Sequence, residues 1–134
     1  MKRKTPILAL SATLAAFTLT LTPAASATDL FWDGTDAPSP NADGGDGTWD
    51  NLTTLNWDTL ATGGTDSVWT NANNDTANFG GTAGIVTLGS GITTGSLEFT
   101  AGGYTVNGGG NTITLGNSGG IRSTNSPQAS LITT

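Results

Sequence analysis

Four short segments in the second half of the chain alternate between apolar and polar residues. Each places a polar residue between two apolar ones, and glycine or asparagine occurs in every gap: Val86-Thr87-Leu88, Leu97-Glu98-Phe99, Tyr104-Thr105-Val106 and Ile113-Thr114-Leu115. Because successive side chains of a strand point to opposite faces, each segment puts two apolar side chains on one face. The pattern predicts an all-β fold of short strands, and Ile121 and Leu131-Ile132 are further strand candidates.

Two all-β architectures fit these strands. A parallel β-solenoid would stack them coil on coil, with the inward residues of each coil buried against the next. A small antiparallel β-sandwich would join them by hairpins across two packed sheets. The unequal glycine-rich turns, the very short strands and the abundant Thr and Asn favour the start of a parallel β-solenoid, and the sandwich is the alternative.

The first 27 residues have the pattern of a cleaved signal peptide. Lys2, Arg3 and Lys4 form a positive start, residues 6–21 are mostly apolar, and Ala25-Ser26-Ala27 supplies the small residues that a signal peptidase reads. Ser and Thr dilute the apolar run, whereas a membrane span needs about 20 strongly apolar residues. We therefore predict cleavage after this segment, no membrane span in the remaining chain, and a secreted or cell-surface location.

Removal of this segment leaves an acidic chain with one basic residue. Residues 28–134 hold ten acidic side chains against the single base Arg122, a formal net charge of −9. Nucleic acids and anionic membranes are bound mainly through Lys and Arg, so this balance disfavours both as partners. Cysteine is absent, so no disulfide stabilises the exported chain.

A change in composition near Gly80-Gly81 predicts one internal boundary. Residues 28–80 contain all four tryptophans and nine of the ten acids, whereas residues 81–134 contain the four alternating segments. We divide the chain into a signal peptide (1–27), a Trp/Asp-rich N-terminal cap segment (28–80) and Gly-punctuated solenoid coils (81–134).

Three of the four tryptophans are followed directly by aspartate, and two roles fit them. The four residues are Trp32, Trp49, Trp57 and Trp69. Their rings could stack on sugars, or they could cover the open end of the first coil, since a large aromatic side chain buries about 150–250 Å². We favour the cap, because the segment has no other residues large enough to form its core. Glycan contact by these four tryptophans is the alternative.

The order of motifs in residues 29–116 carries a family resemblance. Its elements are Phe31-Trp32-Asp33-Gly34, Gly45-Asp46-Gly47-Thr48-Trp49-Asp50, Leu55-Asn56-Trp57-Asp58, Val68-Trp69-Thr70-Asn71 and Asp75-Thr76-Ala77-Asn78-Phe79-Gly80. The order resembles the opening segment of bacterial autotransporter-associated β-strand repeat proteins, which enter a glycine-punctuated β-solenoid after a signal peptide. The resemblance implies an exported, repetitive β-helical passenger at the cell surface. We predict a non-catalytic passenger segment with a surface structural or adhesin-like function.

The C-terminal part differs from that family. Only residues 110–116 resemble the family's repeat unit, and no barrel or sorting anchor precedes Thr134. We therefore expect a truncated passenger, with a C-terminal strand edge open to pairing with another chain. A glycan or another cell-surface protein is the expected partner.

Catalytic and metal chemistry find little support in the sequence. Histidine and cysteine are absent and lysine is confined to the signal peptide, so the usual bases and nucleophile pairs are missing. Asp36, Asn41, Asp43, Asp46 and Asp50 could offer oxygens to Ca²⁺, but their spacing matches neither the EF-hand nor glycine-rich calcium repeats. We predict no enzymatic activity, no cofactor and no metal site, and keep a small carbohydrate-binding β-module as the alternative function.

Overall fold

A computed structural model of the chain describes residues 26–34, 41–116, 119–124 and 130–132, and its regular structure is almost entirely β-strand. The predicted signal peptide lies outside these ranges except for its last two residues. The elements are β1 (Asp29–Trp32), β2 (Gly47–Trp49), β3 (Trp57–Asp58), β4 (Asp66–Ser67), a 3₁₀ helix (Asn71–Asn73), β5 (Thr76–Phe79), β6 (Ile85–Leu88), β7 (Ile92–Thr94), β8 (Ser96–Phe99), β9 (Thr105–Asn107), β10 (Ile113–Leu115), β11 (Ile121–Ser123) and β12 (Ser130–Ile132). The all-β prediction is confirmed. No helix in the described ranges has the length and apolar character needed to cross a membrane.

The described strands form three sheets in which most neighbours run parallel. One sheet has the order β11-β8-β5-β1-β3-β4, the second has the order β12-β9-β6-β2, and the third pairs β10 with β7. The antiparallel pairs are β1 with β3 and β3 with β4, and they make the six-stranded sheet mixed. The antiparallel pairing that the sandwich alternative predicts is therefore confined, in the described part, to the neighbours of β3.

From β5 onward, parallel partners lie at a nearly constant separation along the chain. Aligned residues are 20 positions apart for β5/β8 and β6/β9, 21 for β7/β10, 24 for β8/β11 and 25 for β9/β12. The separation is 47 for β1/β5 and 39 for β2/β6, because β3, β4 and the 3₁₀ helix intervene. Each strand from β5 to β9 consequently lies beside the strand three places later in the sequence.

Three of the four alternating segments bury both of their apolar side chains. The residues concerned are at most 3% exposed: Val86, Leu88, Leu97, Phe99, Tyr104 and Val106. The same prediction is wrong for the fourth segment, where Ile113 is half-buried and Leu115 is 38% exposed. Its strand, β10, pairs with β7 alone among the described strands, so no further strand covers its other side.

The strand β7 was not predicted, because its sequence does not alternate. Thr94 is fully buried there, and its hydroxyl oxygen lies 2.8 Å from the carbonyl oxygen of Asp75. A hydrogen-bonded threonine thus fills a core position that a leucine or valine would have marked in the sequence. The further strand candidates at Ile121 and Leu131-Ile132 are confirmed as parts of β11 and β12.

Aromatic residues form the centre of the core. Phe79 lies at the junction, with ring-centroid distances of 4.9–5.8 Å to five other rings, those of Trp32, Trp49, Trp57, Phe99 and Tyr104. Its ring stacks on that of Phe99, which is aligned with it across β5 and β8. The tryptophan-rich part and the alternating strands therefore share one core.

Candidate functional site

The four tryptophans that the sequence singles out meet inside this core. Neighbouring rings have centroid distances of 4.8–5.1 Å, and each side chain is at most 1% exposed. The Nε1–H group of Trp32 donates a hydrogen bond of 2.9 Å to the carbonyl oxygen of Gly45, and that of Trp69 lies 3.1 Å from Asn71 Oδ1. The rings are thus covered by one another and by Phe79 rather than by solvent.

Burial of these rings bears on the predicted glycan contact. A sugar ring stacks on an aromatic face that is open to solvent, so contact through Trp32, Trp49, Trp57 or Trp69 would require this cluster to open. Glycan contact by the four tryptophans stays a prediction.

The outward face of the six-stranded sheet carries a row of side chains, one from each strand. The register aligns six residues across the sheet: Asp66, Asp58, Phe31, Asn78, Glu98 and Arg122. Aligned residues of neighbouring strands point to the same face. The residues next to them in the sequence therefore point the opposite way, into the core, as Trp32, Trp57, Phe79 and Phe99 do. At about 4.8 Å per strand, this outward row spans about 24 Å.

A cavity of about 300 Å³ lies beside the middle of the outward row. Its lining comes from the sheet and from the loops at its edge: Phe31, Trp32, Ala42, Ala61, Asn78, Gly80, Gly81 and Thr100. Phe31 contributes an aromatic ring, Asn78 an amide and Thr100 a hydroxyl group. The lining therefore combines apolar side chains with neutral hydrogen-bonding groups.

Three carboxylates meet at one end of the outward row. Asp33, which follows β1 directly, joins Asp58 and Asp66, and one oxygen of each lies within 4.8 Å of the others. Asp33 is 1% exposed, Asp58 is fully buried and Asp66 is half-buried. The backbone N–H of Asp43 donates a hydrogen bond of 3.1 Å to Asp33 Oδ1. We call Asp33, Asp58 and Asp66 the aspartate cluster.

Electrostatics at Asp58 favour its neutral form in the absence of a compensating charge. The pKa of Asp58 is raised above its ordinary value, and burial is the largest cause. The negative charge of Asp66 raises it further, and that of Asp43 does so more weakly. The Gly64 amide lies close enough to oppose this rise, yet neither carboxylate oxygen of Asp58 has a partner at hydrogen-bond geometry. The carboxyl group is therefore held where its charged form is costly.

Two of the loop acids that the sequence pattern singled out as oxygen donors, Asp46 and Asp50, bond groups of the chain itself. Asp46 Oδ1 accepts a hydrogen bond of 2.7 Å from the backbone N–H of Ile85. The carboxylate of Asp50 accepts bonds of 2.9 Å and 2.6 Å from the backbone N–H and the hydroxyl of Thr54. Asp36 lies outside the described residues. The sequence did not predict the aspartate cluster, although two of its residues belong to the repeated Trp-Asp dipeptides.

An ion pair closes the other end of the outward row. Arg122 Nε lies 3.6 Å from Glu98 Oε2, on the aligned strands β11 and β8. The Arg122 side chain is 71% exposed, so solvent screens the pair and it contributes little to stability. Charge is thus neutralised at this end of the row by the chain itself.

Comparison with known proteins finds a similar sequence, which is named as an autotransporter adhesin. Over 105 residues, 77% of this chain, the sequence is 43% identical to the adhesin BmaC autotransporter of Brucella suis biovar 1 (strain 1330). The chain spans 3% of the length of that relative. No protein-family model and no solved structure matches the chain. Most of this sequence is therefore similar to a small part of an autotransporter adhesin.

Proposed function

We propose that this chain is an exported, non-catalytic passenger segment that presents a parallel β-solenoid at the cell surface and acts as an adhesin-like structural element. The observation that carries the proposal is the strand register, in which aligned residues recur after 20–25 positions from β5 onward. Three strands per turn would account for the pairing of every strand with the third one after it. Similarity to an autotransporter adhesin supports the surface location and the adhesin-like role.

In this proposal the tryptophan-rich part forms the first, enlarged coil. β1 and β2 would begin that coil, while β3 and β4 add an antiparallel extension to the same sheet as β1. β5–β7 and β8–β10 would form the next two coils, and β11 and β12 would continue the stack. The large indole rings would fill the first coil, where the alternating strands have not yet begun.

The distribution of acids supports a non-catalytic role. A glycosidase needs two carboxyl groups that flank a substrate bond in an accessible cleft. Of the three carboxylates that lie close together, Asp33 and Asp58 are at most 1% exposed and Asp66 is half-buried, so no two of them face an accessible cleft together. The chain contains no histidine or cysteine that could replace them.

The coil register can be tested by a cysteine pair, because the natural chain has no cysteine. Ile85 and Thr105 are aligned on β6 and β9. We expect Ile85→Cys/Thr105→Cys to oxidise to an intramolecular disulfide, since aligned strands bring Cα atoms into the required range of about 4.4–6.8 Å. Closing this loop should raise the free energy of unfolding by about 3 kcal/mol. Non-reducing mass spectrometry and urea denaturation measure the two effects.

A second pair serves as the control for the cysteine experiment. Ile85→Cys/Thr114→Cys joins positions that lie in different sheets, so it should remain reduced under the same conditions. Equal cross-linking of both pairs, or cross-linking of the control alone, would contradict the coil register.

The adhesin-like role requires the folded chain to bind a surface. Beads coated with the full chain should bind cultured animal cells saturably, and the soluble chain should compete for that binding. Albumin-coated beads are the control for non-specific contact. Adhesion that the soluble chain does not compete away would contradict the proposal.

Export can be followed separately by the sensitivity of the chain to protease added to intact bacteria.

Carbohydrate binding is the second candidate, and the cavity beside the outward row is the observation that favours it. Phe31 could stack on a sugar ring while the Asn78 amide oxygen and the Thr100 hydroxyl oxygen accept hydrogen bonds from its hydroxyl groups, since the donors of both side chains bond backbone carbonyls. A glycan array should then show binding that Phe31→Ala abolishes, with the melting temperature largely kept because Phe31 is only half-buried. An array with no signal for the natural chain removes this candidate.

A further inference from the structure

We propose that the aspartate cluster of Asp33, Asp58 and Asp66 binds a hard divalent cation, Ca²⁺ or Mg²⁺. Three oxygens that lie within 4.8 Å of one another have a common centre at most about 2.8 Å from each. Calcium–oxygen distances are about 2.3–2.6 Å, so a small contraction of the side chains completes the contacts. The site goes beyond the proposed function and does not depend on it.

Asp58 supplies the observation that points to a ligand. It is fully buried, and both of its oxygens lack a hydrogen-bond partner among the described residues. An isolated buried carboxylate is costly unless it is protonated, paired or bound to a metal. Its β4 neighbour Asp66, aligned with it across the sheet, adds a second negative charge instead of a donor. A cation at the centre of the cluster would remove both penalties together.

The described part of the chain provides no cation of its own for this cluster. Arg122 is the single basic residue in the described ranges, and it is paired with Glu98. The six-stranded sheet places β11 four strands away from β3, which is about 19 Å at the usual strand spacing. That distance is about twice the Debye length of physiological salt, so Arg122 cannot neutralise the aspartates.

The donor set selects the class of cation. Carboxylate oxygens suit Ca²⁺ and Mg²⁺, whereas zinc sites are built mainly from cysteine and histidine, which this chain lacks. Asp66 is half-buried, so water can complete the coordination shell from its side. Asp43 is exposed, but its charge acts on Asp58 and adds to the negative potential that attracts a cation.

The core holds the ligands in place. Trp32 and Trp57 are aligned and buried directly before Asp33 and Asp58, so the backbone of each ligand is anchored by an indole ring. Gly34 follows Asp33 with a φ of +57°, and a Cβ atom there would collide with the carbonyl oxygen of Gly44. Only glycine allows this close approach without strain, which brings the loop around Asp43 against Asp33.

Thermal melting of the full chain tests the site. In buffer with chelator, addition of CaCl₂ or MgCl₂ should raise the melting temperature saturably, by about 10 °C at a hundredfold excess over the dissociation constant. KCl of equal ionic strength should not reproduce this rise. The separate calcium and magnesium titrations show which cation the site prefers, and a rise with either supports the proposal. The absence of a saturable rise with both overturns it.

Substitutions at Asp58 give a result that a merely structural aspartate would not. Asp58→Asn removes the buried charge, so without cation the variant should melt at or above the temperature of the natural chain. With saturating cation the variant should melt below the natural chain, because the variant has lost a ligand. Asp66→Asn, at a half-buried position, repeats the loss of the cation response if Asp58→Asn fails to fold. Asp29→Asn, an exposed aspartate on β1, is the matched control and should keep the full response.

Terbium luminescence locates the cation independently of stability. Tb³⁺ replaces Ca²⁺ in oxygen sites and emits when nearby indole rings are excited, and Trp32 and Trp57 adjoin two of the proposed ligands in sequence. We expect sensitised emission from the natural chain and from Asp29→Asn, competed away by the preferred divalent cation. Equal emission from Asp58→Asn and Asp66→Asn would place the bound ion elsewhere and overturn the assignment.

Discussion

Replacement of Trp49 by Ala should lower the free energy of unfolding by about 3–5 kcal/mol. The Trp49 side chain is fully buried, and its ring packs at centroid distances of 4.9–5.6 Å against Trp57, Trp69 and Phe79. A domain has about 5–15 kcal/mol of stability in total, so this loss would unfold much of the population. Urea denaturation followed by circular dichroism measures it for the whole chain.

Two further variants separate the causes of that loss. Trp49→Phe keeps an aromatic ring and removes an indole N–H that has no hydrogen-bond partner, so it should cost clearly less than Trp49→Ala. Leu60→Ala, at a position that is 58% exposed, should change stability by no more than about 0.5 kcal/mol. A Trp49→Ala chain that stays folded but stops binding glycan would contradict the core role and favour the sugar-binding alternative.

Alkaline pH should destabilise the chain through Tyr104. Burial raises the pKa of Tyr104 to about 12, the Gly45 amide opposing this as the smaller effect, and the hydroxyl donates a hydrogen bond of 2.5 Å to the carbonyl oxygen of Gly80. In the unfolded chain the phenol ionises near pH 10, so the stabilisation is complete below that pH. This contribution to the free energy of unfolding, up to about 3 kcal/mol, is then lost as the pH rises from 10 to about 12.

The sequence makes this alkaline transition easy to attribute. Tyr104 is the one tyrosine, cysteine is absent, and the lysines are Lys2 and Lys4 in the predicted signal peptide. Tyr104→Phe should be less stable near pH 8, because Gly80 loses its donor, but its stability should change little between pH 10 and 12. Tyrosinate absorbance measured along with the melts gives the ionisation directly. A natural chain with the same flat profile as the variant would rule out this role for Tyr104.

The alternation of apolar and polar residues predicted most of the strands after residue 81, because a strand with one buried face must place its apolar residues at every second position. The prediction was wrong where burial depended on neighbours. Leu115 follows the same alternation as Leu88, yet its strand has a partner on one side alone among the described residues. Thr94 shows the converse, since a hydrogen bond allows a polar residue to occupy the core.

Residue type alone predicts that the tryptophans are buried, but it does not predict where the aspartates after them lie. Indole rings are the largest side chains of this segment, so burying them together removes the most apolar surface from water. The core position of Trp32, Trp49, Trp57 and Trp69 therefore follows from their size. The aspartates that follow them have no such constraint. Asp50 caps a turn, whereas Asp33 and Asp58 converge, and the dipeptide is the same in each case.

The amino-acid sequence by itself determined the strand class, the burial of the tryptophans and the net negative charge, because these depend on local alternation, residue size and composition. Strand order, the outward row and the aspartate cluster were decided by the tertiary structure alone. Asp33 and Asp66 are 33 residues apart in the sequence, and they meet because β1, β3 and β4 lie side by side in one sheet. Register is a relation between distant segments, and a one-residue slip would turn every member of the row to the other face.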